Sequence, residues 1–529
     1  ITNEISSTDG VKLLDVDPGA DTNRTVVTFI GSPDAVKEAA FKAIKKAAQV
    51  IDMRKHHGAH ARMGATDVCP FVPVSGVSID ECIELAKELG KQVADELNIP
   101  VYLYEQAAPH PERANLADIR AGEYEGLKDK LTNPNWQPDF GKAEFNEKSG
   151  ATVIGVREFL IAYNVNLNTK DRKLAHDIAL SIRERGRLKR DEQGTVVRDE
   201  NGTALRVPGL LDACKAVGWY IDEYGQAQIS MNLVNYKITP PHIAFDTICS
   251  EAEKRGLRVT GSELVGLIPL KAILDAGVHY LQKQGKSTGV PEEELIDIAI
   301  KSLGLSDISE FDPKQKIIEY QVRDIKGPLV KLDLRDFANE LSTDSPAPGG
   351  GSVSALAGAL ASGLASMVFN LTIGKKDYAD VSAEMEELAV KAQELKDDLL
   401  QAVDRDTEAF NNIMAAFTMK KKTDSQKEAR NRAIQEATKE ACQVPLGVMK
   451  KSLEVLKIAI ILPEKGNVNA VSDAGVCALM AMAGIEGAGL NVKINLRSIE
   501  DTDFVTNMKS EVNSIISEAK QHQERILTM

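Results

Sequence analysis

Residues 322–330 read Val322-Arg323-Asp324-Ile325-Lys326-Gly327-Pro328-Leu329-Val330, and the chain changes character across them. Both tryptophans (Trp136 and Trp219), nine of the ten tyrosines and, counting Pro328 within it, sixteen of the twenty prolines lie before the end of this stretch. Only one of the eight histidines, His522, follows it. Gly327-Pro328 supplies a turn and stops a continuing helix, so the stretch is the expected linker between two different architectures. A chain of 529 residues needs such a division, because a single hydrophobic core stops growing at about 250–300 residues.

Upstream of the linker, strand and helix signals alternate. Val11–Val16 and Thr25–Ile30 are rich in β-branched and apolar residues and predict strands. Ser32-Pro33-Asp34 places a cap, a proline and an early acid at a helix start. A strand over Val68–Val74 follows, then a capping box at Ser78-Ile79-Asp80-Glu81 opening a second helix, then a strand at Val101–Tyr104. After residue 150 a similar series runs through extended stretches at Ala151–Val156 and Phe159–Asn166 and a helix from a Thr169 cap to about Arg185. Strands are expected around Gly218–Ile221, Ala227–Val234 and Leu257–Thr260, with a helix opened by Thr239-Pro240. A tandem repeat, Arg190-Asp191-Glu192-Gln193-Gly194-Thr195 and Arg198-Asp199-Glu200-Asn201-Gly202-Thr203, reads as a solvated hairpin insertion.

Beyond residue 330 the periodicity is helical throughout, over Ser382–Phe417 and Gln426–Val455 most clearly. Leu490–Leu496 alternates like a strand, but its helical neighbours decide for helix. The expected fold class is α/β followed by an all-α helical domain. The α/β part comprises two sandwich subdomains of mostly antiparallel sheet with helices on one face. The expected boundaries are 1–156, 157–321, a linker at 322–330, and 331–529.

The net charge of −14 argues against a nucleic-acid partner, which needs a basic footprint. Six cysteines without a CxxC pair indicate neither a disulfide framework nor a zinc ribbon, and a reducing cytoplasm fits them best. The first residues have no basic or apolar run of the signal-peptide kind, and with no initiating Met they read like the end of a helix, so residues are expected before Ile1. Pro346–Gly374 lacks charge over a length that can span a bilayer. Its Gly, Ala and Ser content, with Asn370 inside and small residues at Gly358, Ser362 and Ser366, predicts a closely packed buried helix and no membrane span.

The densest polar cluster is His56-His57-Gly58-Ala59-His60-Ala61-Arg62-Met63-Gly64-Ala65-Thr66-Asp67, between a helix and a strand. Three readings fit it. His56 and His60 have helical metal-ligand spacing, although Gly58 disfavours a helix there. An imidazole titrates near neutrality and suits general acid/base work. The cluster can equally be an exposed polar loop.

In the second half Met385, Leu388, Ala392, Leu395, Leu399, Val403, Asp406, Phe410, Met414 and Phe417 recur every three or four residues. Asp406 is the one charge on that stripe, while Asp404 and Arg405 are expected to point elsewhere. An acid on a core-facing stripe is either a structural group satisfied by a neighbour or a functional one. Two glycine-containing stretches, Ser345–Ser352 and Gly466–Gly475, each lead into a small-residue helix and are expected to converge with it.

The run H-x-G-x-H-x-R-M-G-A-x-D-V-C-P-F ending at Phe71 resembles the glutamate formiminotransferase family. Asp15–Gly19, Thr22–Val26, Val101–Tyr104, Arg120–Tyr124, Pro138–Gly141 and Gly150–Thr152 continue the likeness over most of residues 11–320. The family's opening Pro-Asn-Phe-Ser strand motif does not occur here. Ser345–Ser352, Val403–Phe410, Ser472–Val476 and Leu490–Leu496 resemble the formiminotetrahydrofolate cyclodeaminase family over about residues 331–520. The two in this order resemble the bifunctional formimidoyltransferase-cyclodeaminase family of histidine degradation.

That resemblance implies transfer of a formimino group from formiminoglutamate to tetrahydrofolate, then cyclisation to 5,10-methenyltetrahydrofolate with loss of ammonia. It implies His60 as the catalytic residue of the transfer and Asp406 as that of the cyclisation. Folate contacts would fall on Gly141, Lys142, Ala143, Glu144, Phe145, Asn146, Glu147, Lys148, Ser149, Gly150 and Gly209. Asp17 is either a group that orients the site or a turn acid before Pro18. The resemblance also implies polyglutamated tetrahydrofolate as co-substrate, no metal or redox cofactor, and a homo-oligomer. Lys375-Lys376, Lys420-Lys421-Lys422 and Lys450-Lys451 are candidate contacts for the polyglutamate tail, or else solvated helix ends.

Overall fold

The computed structural model describes residues 1–19, 23–57, 61–322 and 327–528. It divides into two compact units, Ile1–Ile273 with Ile300–Val322, and Leu274–Ala299 with Arg323–Met529.

In the first unit, strands β1 (Val11–Gly19) and β2 (Arg24–Gly31) pair antiparallel, with an irregularity between Leu13 and Asp15. Helix α1 (Pro33–Val50) starts where the sequence places it, with Pro33 in the first turn and no side-chain bond from Ser32. Strand β3 (Val68–Phe71) leads to α2 (Ile79–Leu97), which begins on a complete capping box. There Glu81 N donates to Ser78 Oγ at 3.2 Å, and Ser78 N donates to Glu81 Oε2 at 2.7 Å. Strands β4 (Val101–Glu105) and β5 (Thr152–Val156) complete a sheet of order β3-β5-β4.

This sheet is parallel, which corrects the expectation of mostly antiparallel pairing for the first subdomain. The cause is connectivity: α2 returns the chain from β3 so that β4 runs the same way, and residues 106–151 return it from β4 so that β5 enters parallel between the two. The signal was present in β5, whose five residues are all buried, because a parallel strand covered on both faces reads as an unbroken apolar run. Phe41 and Ile44 from α1, Leu89 and Val93 from α2, and Val101, Leu103, Ile154 and Val156 from the sheet share one core.

The second sheet follows expectation. Strands β6 (Ile161–Leu167), β9 (Cys214–Ile221), β10 (Gln226–Leu233) and β11 (Val259–Val265) form an antiparallel array ordered β11-β6-β10-β9. Helices α3 (Arg172–Ile182) and α4 (Pro241–Glu253) pack beside each other on it. A Cβ on Gly218 of β9 would come within 2.0 Å of His176 N, so the missing side chain lets α3 lie directly on the strand. Asp171, not Thr169, caps α3 by accepting from Lys173 N at 2.7 Å, and the helix ends at Ile182 rather than near Arg185.

Between α3 and β9 the short strands β7 (Arg187–Leu188) and β8 (Arg206–Val207) pair, and the tandem repeat lies between them. Each repeat closes on its own aspartate instead of forming one Asn-Gly hairpin. Asp191 Oδ1 accepts from Gln193 N and Thr195 N at 3.0 and 2.8 Å, and Asp199 Oδ1 accepts from Asn201 N and Thr203 N at the same distances. An Asp carboxylate that mimics a backbone acceptor makes such turns self-sufficient.

In the second unit, α5 (Gly350–Thr372) packs against α6 (Ser382–Thr418), α7 (Asp424–Ala459) and α8 (Val471–Asn495), with α9 (Thr502–Thr528) against α7 and α8. Leu490–Leu496 is helical, as its neighbours required. The small residues of α5 work as a contact face. A Cβ on Gly358 would lie 2.5 Å from Ser452 Oγ, Ser362 Oγ donates to Ala392 O at 2.7 Å, and Ser366 Oγ donates to Gly289 O at 3.2 Å. Helices α5 and α8 are each long and apolar enough to cross a membrane, and 67% of the most apolar window of α5 is buried among its neighbours.

Asp404 points away from the Asp406 stripe, as expected, but into a second contact rather than into water. It is only 5% exposed, and its carboxylate accepts from Leu329 N at 2.9 Å and Val330 N at 3.2 Å. This acid, off the stripe, therefore anchors the segment that leads into the helical unit. Removing it leaves a buried N–H without a partner, a loss of about 2–3 kcal/mol. Asp404→Ala is expected to lower the stability of the helical unit by that amount in urea unfolding, whereas Arg405→Ala on the exposed side should leave it within about 0.5 kcal/mol.

Candidate active sites

His60, Gly58 and Ala59 lie outside the described residues, but both ends of their loop are described. On the near side, Asn23 Nδ2 donates to His57 O at 2.8 Å and stands 3.3 Å from His56 Nδ1. On the far side, Arg62 Nη2 donates to His56 O at 3.0 Å and to Glu125 Oε1 at 2.6 Å, while Nη1 reaches Glu123 Oε2 at 3.2 Å. Asp67 closes the loop, accepting from Met63 N at 2.9 Å and from Arg120 Nη2. Two stretches far apart in sequence, 56–67 and 120–125, thus meet through ion pairs. Between them opens a cleft of about 360 Å³ lined by His57, Arg62, Gly122, Glu123 and Glu125. Gly122 has φ +90°, a left-handed turn that carries the chain past Arg62. Among the described residues no three His, Cys, Asp or Glu side chains gather as a metal site.

The stretch 141–150 is fastened to the same loop at its end. Ala65 N donates to Ser149 O at 2.9 Å, Ala151 N donates to Met63 O at 3.1 Å, and Gly64 bridges Gly150. A Cβ on Gly150 would come within 2.0 Å of Met63 O, and its φ is +68°, so this junction admits glycine alone without rearrangement. Asn146 holds the turn by accepting from Ser149 N at 2.9 Å and donating to Asn98 O at 3.1 Å. Lys148 Nζ donates to Gln49 O at 2.9 Å. The Phe145 ring lies 5.4 Å from that of Tyr124, whose hydroxyl donates to Glu147 O. Gly141 packs against Ala94, while Lys142, Ala143 and Glu144 are exposed.

Gly209 sits elsewhere in this unit, beside the end of α3, where a Cβ would lie 2.0 Å from Arg183 O. Asp17 is exposed on β1, paired with Val26. The sequence reading missed Arg62, Glu123 and Glu125 as site residues. Arg62 and Glu123 at least stood in the quoted motifs, whereas Glu125 lay just beyond one, and local spacing says nothing of a contact across sixty residues.

In the second unit α6 passes the first turn of α5, and Asp406 meets it there. A Cβ on Gly351 would lie 2.0 Å from Asp406 Oδ1, so the bare backbone is what leaves room for the carboxylate. Ser352 is fully buried, its Oγ donating to Val403 O at 2.8 Å and lying 3.5 Å from Asp406 Oδ2. Burial pushes the Asp406 carboxyl above the usual carboxylate range, opposed by hydrogen bonds from the Ser352 backbone and hydroxyl. Asn491 of α8, which no spacing argument singled out as a site residue, faces Gly350 across the same corner, with Nδ2 donating to Gly487 O at 2.9 Å.

Only one of the two glycine-containing stretches reaches Asp406. Asn467 is bonded to the far end of α5, its N donating to Thr372 Oγ1 at 2.9 Å and its Nδ2 to Leu371 O at 3.0 Å. At 1.5 Å per residue the two ends of α5 are about 30 Å apart. The stripe also does not stay inward past the acid: Met414 and Phe417 are exposed. Of the candidate lysines, Lys450 pairs with Glu511 at 2.6 Å and Lys451 with Asp398, while Lys375, Lys376 and Lys420–Lys422 are exposed.

The raised Asp406 carboxyl has a consequence for stability. The folded state holds that proton more tightly than the unfolded chain, so ionised Asp406 costs stability above its folded pKa, and the cost disappears as pH falls below the ordinary carboxylate range. Asp406→Asn is therefore expected to raise the thermal midpoint of the helical unit at pH 7 and to leave it unchanged near pH 3.5, measured by circular dichroism at both pH values.

Three family models match the chain in succession: the N-terminal subdomain of the formiminotransferase domain over residues 1–157, the formiminotransferase domain over 162–323, and formiminotransferase-cyclodeaminase over 333–514. The formimidoyltransferase-cyclodeaminase of Rattus norvegicus is 43% identical over 531 aligned positions, spanning 100% of this chain and 94% of the relative. The glutamate formimidoyltransferase of Streptococcus pyogenes serotype M1 is 42% identical over 52% of this chain and 84% of its own length. A solved structure, the formiminotetrahydrofolate cyclodeaminase of Thermotoga maritima, is 33% identical over 37% of this chain and 94% of its own, with a TM-score of 0.34. With both halves matched in order over the whole length, the chain belongs to the formiminotransferase-cyclodeaminase family.

Proposed function

We propose that the two steps catalysed by this chain divide between His60 and Asp406. The chain is a glutamate formimidoyltransferase and a formimidoyltetrahydrofolate cyclodeaminase. It moves the formimino group of N-formimino-L-glutamate to N5 of tetrahydrofolate and then closes the product to 5,10-methenyltetrahydrofolate.

In the transfer, N5 attacks the amidine carbon and loses a proton, and the glutamate nitrogen leaves with one. A single imidazole near neutral pKa takes the first proton and returns the second, which is the role given to His60. Residues Gly141–Gly150 hold the folate beside that loop. What supports this is the direct bonding of Ser149 and Gly150 to Met63–Ala65, three to five residues from His60.

In the cyclisation, N10 attacks the formimino carbon and ammonia departs. The leaving nitrogen needs a proton, and a carboxyl kept protonated to higher pH by burial supplies it. The observation that carries this reading is the placement of Asp406 against Gly351 in the first turn of α5, where no side chain fills the space. Asn491 and the exposed Gly350 offer polar contacts to the pterin.

The finer features of the reading are these. The folate carries a polyglutamate tail, the enzyme works in the cytoplasm, and the chain forms a homo-oligomer. Six free thiols support the compartment. An uncharged stripe on α5, with Val353, Leu360, Met367 and Leu371 exposed at helical spacing, supports burial against a second copy.

A paired assay tests the division of labour, following glutamate release in one channel and ammonia and methenyltetrahydrofolate in the other. His60→Ala should lower transfer by roughly 10²–10⁴-fold and spare cyclisation of supplied 5-formiminotetrahydrofolate. Asp406→Asn should do the reverse. If either folded variant stops both reactions, the two-site assignment is wrong.

A further inference from the structure

Around Gly209 the backbone draws three arginines together. Strand β7 pairs with β8 so that Leu188 stands opposite Arg206. The chain approaches itself so closely that a Cβ on Gly186 would lie 1.8 Å from Val207 O, and one on Gly209 would lie 2.0 Å from Arg183 O. Arg183 Nε donates to Gly186 O at 3.0 Å, which fixes that guanidinium at the turn. Arg183, Arg185 and Arg206 thus spring from backbone within one turn of Gly209. They also feel one another: burial, then Arg206 and Arg185, pull the Arg183 pKa down.

The neighbouring cations are compensated. Arg187 pairs with Asp177 at 2.9 Å, and Arg255 pairs with Asp177 at 2.8 Å and Glu251 at 2.7 Å. Among the described residues no carboxylate pairs with Arg183, Arg185 or Arg206. Three like charges gathered without an ion-pair partner among the described residues are unfavourable by themselves and favour a ligand that brings anions. Guanidinium forks match carboxylates in two-point hydrogen bonds, more strongly than solvated ammonium groups do.

We propose that Arg183, Arg185 and Arg206 form a recognition site for glutamyl carboxylates beside Gly209. The proposal rests on the reading that Gly209 meets folate. Formiminoglutamate and the glutamyl tail of tetrahydrofolate both carry this chemistry.

The test uses the full-length chain and the double variant Arg185→Gln/Arg206→Gln. KM is measured for tetrahydrofolate with one or with five glutamyl residues, and separately for formiminoglutamate. A KM increase of about tenfold or more at nearly constant kcat is expected for one of these substrates. A rise that grows with tail length assigns the site to the folate tail, and a rise for formiminoglutamate alone assigns it to that substrate. Arg185→Lys/Arg206→Lys should recover part of the loss, since the charge returns without the fork. All three KM values within about twofold of the parent would overturn the site. Cyclisation of supplied monoglutamyl 5-formiminotetrahydrofolate monitors folding of the helical unit in each variant, and circular dichroism monitors that of the first. A calorimetric titration with a penta-γ-glutamate peptide separates this proposal from the functional reading. If the parent releases no glutamate, the transferase reading fails, while peptide binding lost in the double variant still upholds the arginine site. Equal peptide binding by parent and variant, together with unchanged KM values, refutes it.

Discussion

Asp406 can lie where it does only because Gly351 carries no side chain, and the same contact completes the start of α5. The first turn of a helix has N–H groups with no intrahelical partner, and Gly349 at the cap offers no side-chain acceptor for them. Asp406 supplies the acceptor from another helix, taking the bond from Ser352 N. Capping and the helix dipole favour the ionised form, each by about 1 kcal/mol or less, whereas burial favours the neutral one. The net upward shift says that burial wins. A helix cap made in this way yields an acid that keeps its proton longer than a surface carboxylate does. It also requires α6 to cross the start of α5 rather than its middle.

A comparable constraint operates in the first unit, where backbone meets backbone at Gly64 and Gly150. The contact joins the His60 loop to the 141–150 stretch by main-chain bonds, so neither can shift without the other. Ion pairs from Arg62 and Arg120 then tie the loop to residues 120–125. Both halves use the same device: a glycine removes a side chain, and the space goes to a group from a distant part of the chain.

Elements defined by local periodicity were legible in the sequence. The α2 capping box, the individual strands of the second sheet, the long helices and the small residues of α5 all follow from residues within a few positions of one another. What was not legible depends on distant partners. The parallel order β3-β5-β4 joins strands separated by dozens of residues, and only the fully buried run of β5 hinted at it. Asp404 shows the limit of a stripe argument most clearly. Successive helix residues turn by 100°, so Asp404 and Asp406 do face different ways. However, a face away from one neighbour is exposed only if no other segment covers it, and Leu329-Val330 covers that one. Likewise Gly466–Gly475 resembles Ser345–Ser352 in composition, yet the two meet opposite ends of α5.

Charge follows the same logic. A lysine pair looks equally available wherever it occurs in a sequence, but Lys450 and Lys451 are neutralised by Glu511 and Asp398. Lys375, Lys376 and Lys420–Lys422 stand in water, where an ion pair with a carboxylate contributes about 1 kcal/mol or less. Arg183 and Arg206 differ on both counts, being half-buried and without a counter-charge among the described residues. Partial burial weakens solvent screening, so an arriving carboxylate gains more there than at an exposed lysine. The cost of holding such cations uncompensated falls on the free protein and is relieved when an anion binds, which makes the pairing state of a charge more informative than its presence.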